Sequence, residues 1–138
     1  MALSTAIYTI LAGNGTLAAA FGTRIYPAVI PFDVALPCIV FEVGDIQPDY
    51  NQTSDLNWDR VNITVTVFTT KYALSETYAG NVRTALSRYS ATVDSEVIDT
   101  IIFEGMNPDY DPDFTIGDAA TGVGVFIRTC NFTLIRTA

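Results

Sequence analysis

Ten residues, RVNITVTVFT at positions 60–69, constrain this chain more than any other stretch. Val61, Ile63, Val65 and Val67 alternate with Asn62, Thr64 and Thr66, the period of two that marks a strand with one face in a core and one in water. Around it the elements run helix, strands, helix, strands, with no alternating βαβ rhythm. That order predicts an α+β fold: a mainly antiparallel sheet with two main helices packed on one face, joined by long polar loops. At 138 residues the chain fits one domain spanning 1–138.

The flanking elements follow from spacing. Leu3, Ile7, Ile10 and Leu11 recur at helical intervals until Gly13, Asn14 and Gly15 interrupt them, and Thr16 can cap a second short turn ending at Gly22. Short strands are expected at 24–26 and 38–43, followed by a polar excursion over 44–59. A helix at 73–89 carries the stripe Leu74, Tyr78, Val82, Ala85, Leu86 and Tyr89. A strand at 96–104, a second polar excursion at 106–122 and a long last strand at 122–137 complete the chain. In that last strand the inward face switches from Val125 and Ile127 to Phe132 and Leu134, which predicts a bulge near 129–131. The triplet Pro-Asp-Tyr occurs at 48–50 and at 108–110 and reads as a turn signal used twice.

Between the first two strands lies RIYPAVIPFDVALPCIV, with Pro27, Pro31 and Pro37. Each proline fixes its own φ and drives the residue before it into extended geometry. Residues 24–37 are therefore expected to form a taut, non-helical connector. It is too apolar for a free linker, and Val29, Ile30, Phe32, Val34 and Leu36 need either this chain's sheet or another subunit to lie against.

Composition excludes several roles. Charged residues make up 16% of the chain and hydrophobic residues 49%, which points either to a well-filled core or to part of the surface being buried in an assembly. The net charge is −8, with one lysine and scattered arginines, and no basic stripe supports phosphate-backbone binding. No apolar run reaches the ~20 residues a membrane-spanning helix needs, and the N-terminus lacks the basic region of a signal peptide. Cys38 and Cys130 are expected to be buried free thiols.

Chemistry is equally sparse. The chain contains no histidine, which removes the commonest general base and zinc ligand. The glycines do not form a phosphate loop, and neither cysteine has a base beside it in sequence. Asp109, Asp111 and Asp113 alternate like the first ligands of a calcium loop. The match then fails, with Phe114 where glycine is needed and Ala120 where glutamate is needed. No catalytic residue, cofactor or metal is expected.

The order of a small-residue helix end, GTRIYPAVIPFDVALPCIVFEV, a polar segment, RVNITVTVFT and the helix opening YALSETYAGNVRTAL resembles the tail completion proteins of long-tailed bacteriophages. Arg24, Ile25, Tyr26, Pro27, Pro31, Leu36, Pro37, Cys38 and Ile39 carry the likeness, which spans about residues 3–90. Cys38 stands where that family often has an aromatic, and the 105–121 excursion is longer and more acidic. The resemblance implies a non-enzymatic virion subunit at the head–tail junction, assembled in the host cytoplasm. Such a subunit forms a hexameric ring on the tail tube protein, meets a head-side connector or stopper protein, and lets genomic DNA pass without binding it. On that footing Tyr26, Pro27, Val29, Pro31, Phe32 and Leu36 are candidate interface residues. Asp109, Asp111, Asp113 and Asp118 form an acidic loop that is a candidate channel lining. The rival readings are another neck or tail-tube ring subunit, and a small calcium- or ligand-binding β-rich module built on the 109–118 loop.

Overall fold

The computed structural model describes residues 3–28, 36–50, 55–93, 96–111, 115–116, 119–120 and 125–137. In chain order these form α1 (Leu3–Gly13), α2 (Gly15–Phe21), β1 (Ile25–Pro27), β2 (Cys38–Tyr50), β3 (Asp55–Thr69) and α3 (Tyr72–Leu86). They continue with β4 (Ala91–Val93), β5 (Glu96–Asp111), β6 (Thr115–Ile116), β7 (Ala119–Ala120) and β8 (Val125–Thr137). Six strands make one curled sheet in the order β1-β2-β3-β8-β5-β4, while β6 and β7 pair apart from it. Every pairing in the six-stranded sheet is antiparallel except β1 with β2. The α+β architecture is therefore as the sequence order predicts.

The alternating segment lies in the middle of the sheet. Val61, Ile63, Val65 and Val67 are buried beside Cys130, Phe132 and Leu134 of β8, and Ile39 and Phe41 of β2 continue the same layer. Helices cover only that face. Leu3, Ala6, Ile7, Ile10 and Leu11 of α1, Leu17 and Phe21 of α2, and Ala79, Val82 and Leu86 of α3 join it in one core. The buried face of α3 is Ser75, Ala79, Val82 and Leu86, so Leu74, Tyr78 and Ala85 of the expected stripe are only half-buried. Small residues at 75 and 79 let α3 approach the sheet closely, and the buried Ser75 hydroxyl is satisfied by donating to the Tyr72 carbonyl at 2.6 Å.

Local chemistry departs from expectation at three places. Asn14, rather than Thr16, caps α2, its side-chain oxygen accepting from the Leu17 amide at 3.1 Å. No bulge interrupts the β3–β8 ladder, which runs without a register shift from Trp58↔Thr137 to Thr69↔Phe126. The bulges lie in β5, where the register shifts between Ile98 and Thr100 and between Phe103 and Gly105, and in β2 between Val43 and Ile46.

The third departure concerns both polar excursions. Residues 44–50 continue β2 and 55–59 open β3, while 105–111 continue β5 against β8. Each Pro-Asp-Tyr triplet therefore sits within a strand, not in a turn. Proline is tolerated there because both stretches are sheet edges. Among the described residues β2 is bonded to β1 only over 39–41, and β5 to β4 only over 96–98, so neither Pro48 nor Pro108 has a strand partner on its outer side. The register keeps both ribbons, β2–β3 and β5–β8, in step with the rest of the sheet: Ile46, Val61, Leu134 and Ile101 share one row, and Thr69, Phe126 and Tyr110 another.

Candidate interface surfaces

The connector is anchored at both ends by Arg24. Its Nε donates to the Pro37 carbonyl at 2.8 Å, and its Nη2 reaches the Ala20 carbonyl in the last turn of α2 at 3.4 Å. Its own carbonyl accepts from the Ile39 amide at 3.0 Å, starting the parallel β1–β2 pairing. Ala28, with a φ of 66°, turns the chain after Pro27 while its amide donates to the Phe41 carbonyl at 2.8 Å. One guanidinium thus ties the end of α2 to the far end of a thirteen-residue excursion. Of the candidate interface residues, Tyr26 and Leu36 are half-buried and Pro27 is exposed beside Ser4, Tyr8 and Phe41. Val29, Pro31 and Phe32 lie outside the described residues.

The candidate channel-lining carboxylates divide likewise. Asp109 and Asp111 are on β5, two residues apart and hence on one face, opposite Ile127 and Val125 of β8. Asp109 is exposed and its Oδ1 accepts from the Tyr110 amide at 2.8 Å, while Asp111 is half-buried. Asp113 and Asp118 lie outside the described residues. Among the described residues, no three Asp, Glu, Cys or His side chains converge as a metal cage.

Two arginine clusters on β8 escaped the reading of the sequence. Arg136 lies at the inward position level with Asp59 of β3. Its Nε donates to the Asp59 carboxylate at 3.1 Å and its Nη1 to that of Glu96 at 3.0 Å, tying three strands together. Asp59, expected in a solvated loop, is thus half-buried in an ion triad. The available signal was parity, because residue 136 continues the Cys130, Phe132, Leu134 series. The second cluster gathers Arg128 with Tyr72, Glu76, Met106 and Phe126.

The two cysteines are free and buried, as expected. Cys38 pairs with Phe68 and Cys130 with Val65, positions of opposite parity on β3, so the thiols face opposite sides of the sheet. Burial pushes the Cys38 thiol up to about 12, against a smaller opposing pull from Arg24, and Cys130 up to about 11 in the same way beside Arg128. Neither is a nucleophile at neutral pH.

This geometry offers ribbons, edges and a tethered connector, with no assembled catalytic group among the described residues. The fold is shared with a chain from a solved structure described as the virion of a native gene transfer agent particle. The TM-score is 0.70 at 19% sequence identity, over 98% of this chain and 95% of that one. No curated protein matches the sequence. Residues 5–116 match the family described as tail completion protein gp17. That match takes in α1 through β6, including the Arg24-anchored connector and both edge strands β2 and β5, and the chain belongs to this tail completion protein family.

Proposed function

We propose that the chain is a single-domain, non-enzymatic structural subunit that assembles as a six-fold ring on the end of a phage tail tube. The ring stops tube growth and presents its other side to a head-side connector in the virion neck. Membership of the tail completion family across residues 5–116 carries this reading. The two ribbons support it, because β2 and β5 lie on opposite sides of the sheet and give one subunit separate outer surfaces toward different neighbours.

Tyr26, Pro27, Val29, Pro31, Phe32 and Leu36 then serve the contact between subunits, and Asp109, Asp111, Asp113 and Asp118 line the channel. Six copies at −8 each carry roughly −48 before screening, which keeps a passing genome from adhering. Negative-stain microscopy of the protein mixed with growing tail tubes tests the assembly, and capped tubes of arrested length are expected. A protein that remains monomeric and never co-purifies with tubes refutes it. Replacing Asp109, Asp111 and Asp113 with lysine should leave particles that assemble but eject DNA slowly. Normal ejection removes the loop from the channel.

A further inference from the structure

Arg128 is poorly satisfied for a guanidinium placed where it is. It takes an inward register position on β8, opposite Val67 of β3 and Pro108 of β5, and only 13% of its side chain is exposed. A guanidinium presents five N–H donors and needs acceptors for them. Among the described residues its Nη1 finds only the Met106 sulfur at 3.9 Å, and its Nη2 stands 3.9 Å from the Glu76 carboxylate, beyond hydrogen-bond reach. Its Nε is buried with no partner among them. The other contact is the face of Tyr72, 5.5 Å from Cζ to the ring centre. Arg136, on the same face of the same strand, shows the contrast with two carboxylates at 3.0 and 3.1 Å. A charge left short of acceptors in this way is costly unless something else supplies them.

The surroundings indicate what that is. Tyr72 and Tyr110 are 53% and 48% exposed, and both pack against Phe126, at 5.7 and 4.7 Å between ring centres. Exposed tyrosines framing a part-buried arginine have the composition of an interface centre. Tyr110 lies on the open edge of β5. On the opposite open edge of the sheet, the β2 bulge presents Asp45 to solvent next to Ile46, an isoleucine 49% exposed. A closed ring needs two different patches on each copy, one to give and one to receive.

We propose that Arg128, Tyr72 and Tyr110 form a carboxylate-accepting notch for a second copy of this chain, and that Asp45 of that copy fills it, with Ile46 covering the tyrosines. This rests on the ring reading above. A small turn of the guanidinium brings Nη2, and with it Nε, onto the incoming carboxylate as a fork. DNA is the poorer occupant. A phosphate backbone requires several cations in register, and this notch has one, with the Glu76 carboxylate 3.9 Å from it.

Arg128→Glu and Asp45→Arg, alone and together, are assayed for ring formation on tail tubes, with Arg128→Gln as the milder variant. Each single change should weaken assembly at least about tenfold. Arg128→Gln should melt within a few degrees of wild type, and the exchanged pair, Arg128→Glu with Asp45→Arg, should regain most of the loss. Single variants that assemble like wild type, or an exchanged pair no better than either single, overturn the notch while leaving the ring intact. A wild-type protein that forms no ring overturns both proposals. Tight duplex DNA binding by wild type that Arg128→Gln abolishes reassigns the site to phosphate.

Discussion

Replacing Arg24 with methionine should loosen the whole entry into the sheet. Methionine keeps the apolar stem but removes both bonds, the 2.8 Å one to Pro37 and the 3.4 Å one to Ala20. A hydrogen bond from a charged donor contributes about 1.5–3 kcal/mol. The second bond, near the distance limit, adds little. At roughly 3–5 °C per kcal/mol for a chain of this size, the melting temperature should fall by about 5–15 °C. Thermal unfolding followed by circular dichroism measures this. Hydrogen exchange locates it, since the Ile39 and Ala28 amides, which donate to the Arg24 and Phe41 carbonyls, should exchange faster while those of α3 do not. Arg24→Lys keeps the charge but cannot span both carbonyls, and should recover about half of the loss. A methionine variant melting within about 1 °C of wild type would refute the anchoring role. So would protection lost evenly across the sheet.

Three further outcomes follow from the structure. Both thiols lie above their ordinary value of 9.0, so folding favours their protonated form; that stability is complete below pH 9 and fades as pH climbs toward 11–12. Cys38→Ala with Cys130→Ala should flatten the fall of stability above pH 9, and wild-type thiols should resist Ellman's reagent at neutral pH until denaturant is added. In the Arg136 triad the side chains are only 12–17% exposed. Asp59→Asn or Glu96→Gln should each cost about 1–3 kcal/mol by urea unfolding, below the ~3–5 kcal/mol of a fully buried pair because some water reaches it; no change in midpoint would remove the triad from the fold's support. Gly22 caps α2 at φ 58°, ψ −120°, with nothing within 4 Å of an added Cβ, so Gly22→Ala should destabilise by more than ~1 kcal/mol through backbone strain alone, and a neutral result would refute that.

Much of the fold was legible because the core imposes a period. The alternation at 61–67 and the Leu3, Ile7, Ile10, Leu11 stripe each correspond to a buried face. On α3 the stripe read from the larger residues includes Val82 and Leu86 of the buried face but misses Ser75 and Ala79, which face the sheet because they are small. The outer stretches of the ribbons were illegible for a different reason. Residues 44–47 and 107–110 are exposed on strands with no described partner on their outer side, and the bulge at 44–45 breaks the period in β2. Backbone pairing alone makes them strands. The candidate interface residues Val29, Pro31 and Phe32 fall outside the described residues, and their role stays with the sequence and the proposal built on it.

The features that hid the ribbons also shape how copies of the chain can meet. An open strand edge invites another chain to add to it, and free addition propagates without limit. Here the open edge of β2 carries a bulge at 44–45 and Pro48, and that of β5 carries bulges at 99 and 104 and Pro108. Acidic residues punctuate both edges, with Glu42, Asp45 and Asp49 on one and Asp99, Glu104, Asp109 and Asp111 on the other. Bringing two such edges together would oppose like charges across kinked backbones that lack donors where they are needed. Strand addition is therefore disfavoured from either side. Association is left to side chains that lock at one place and one angle, as a single arginine between two tyrosines does. A contact of that kind can close a ring and then stop.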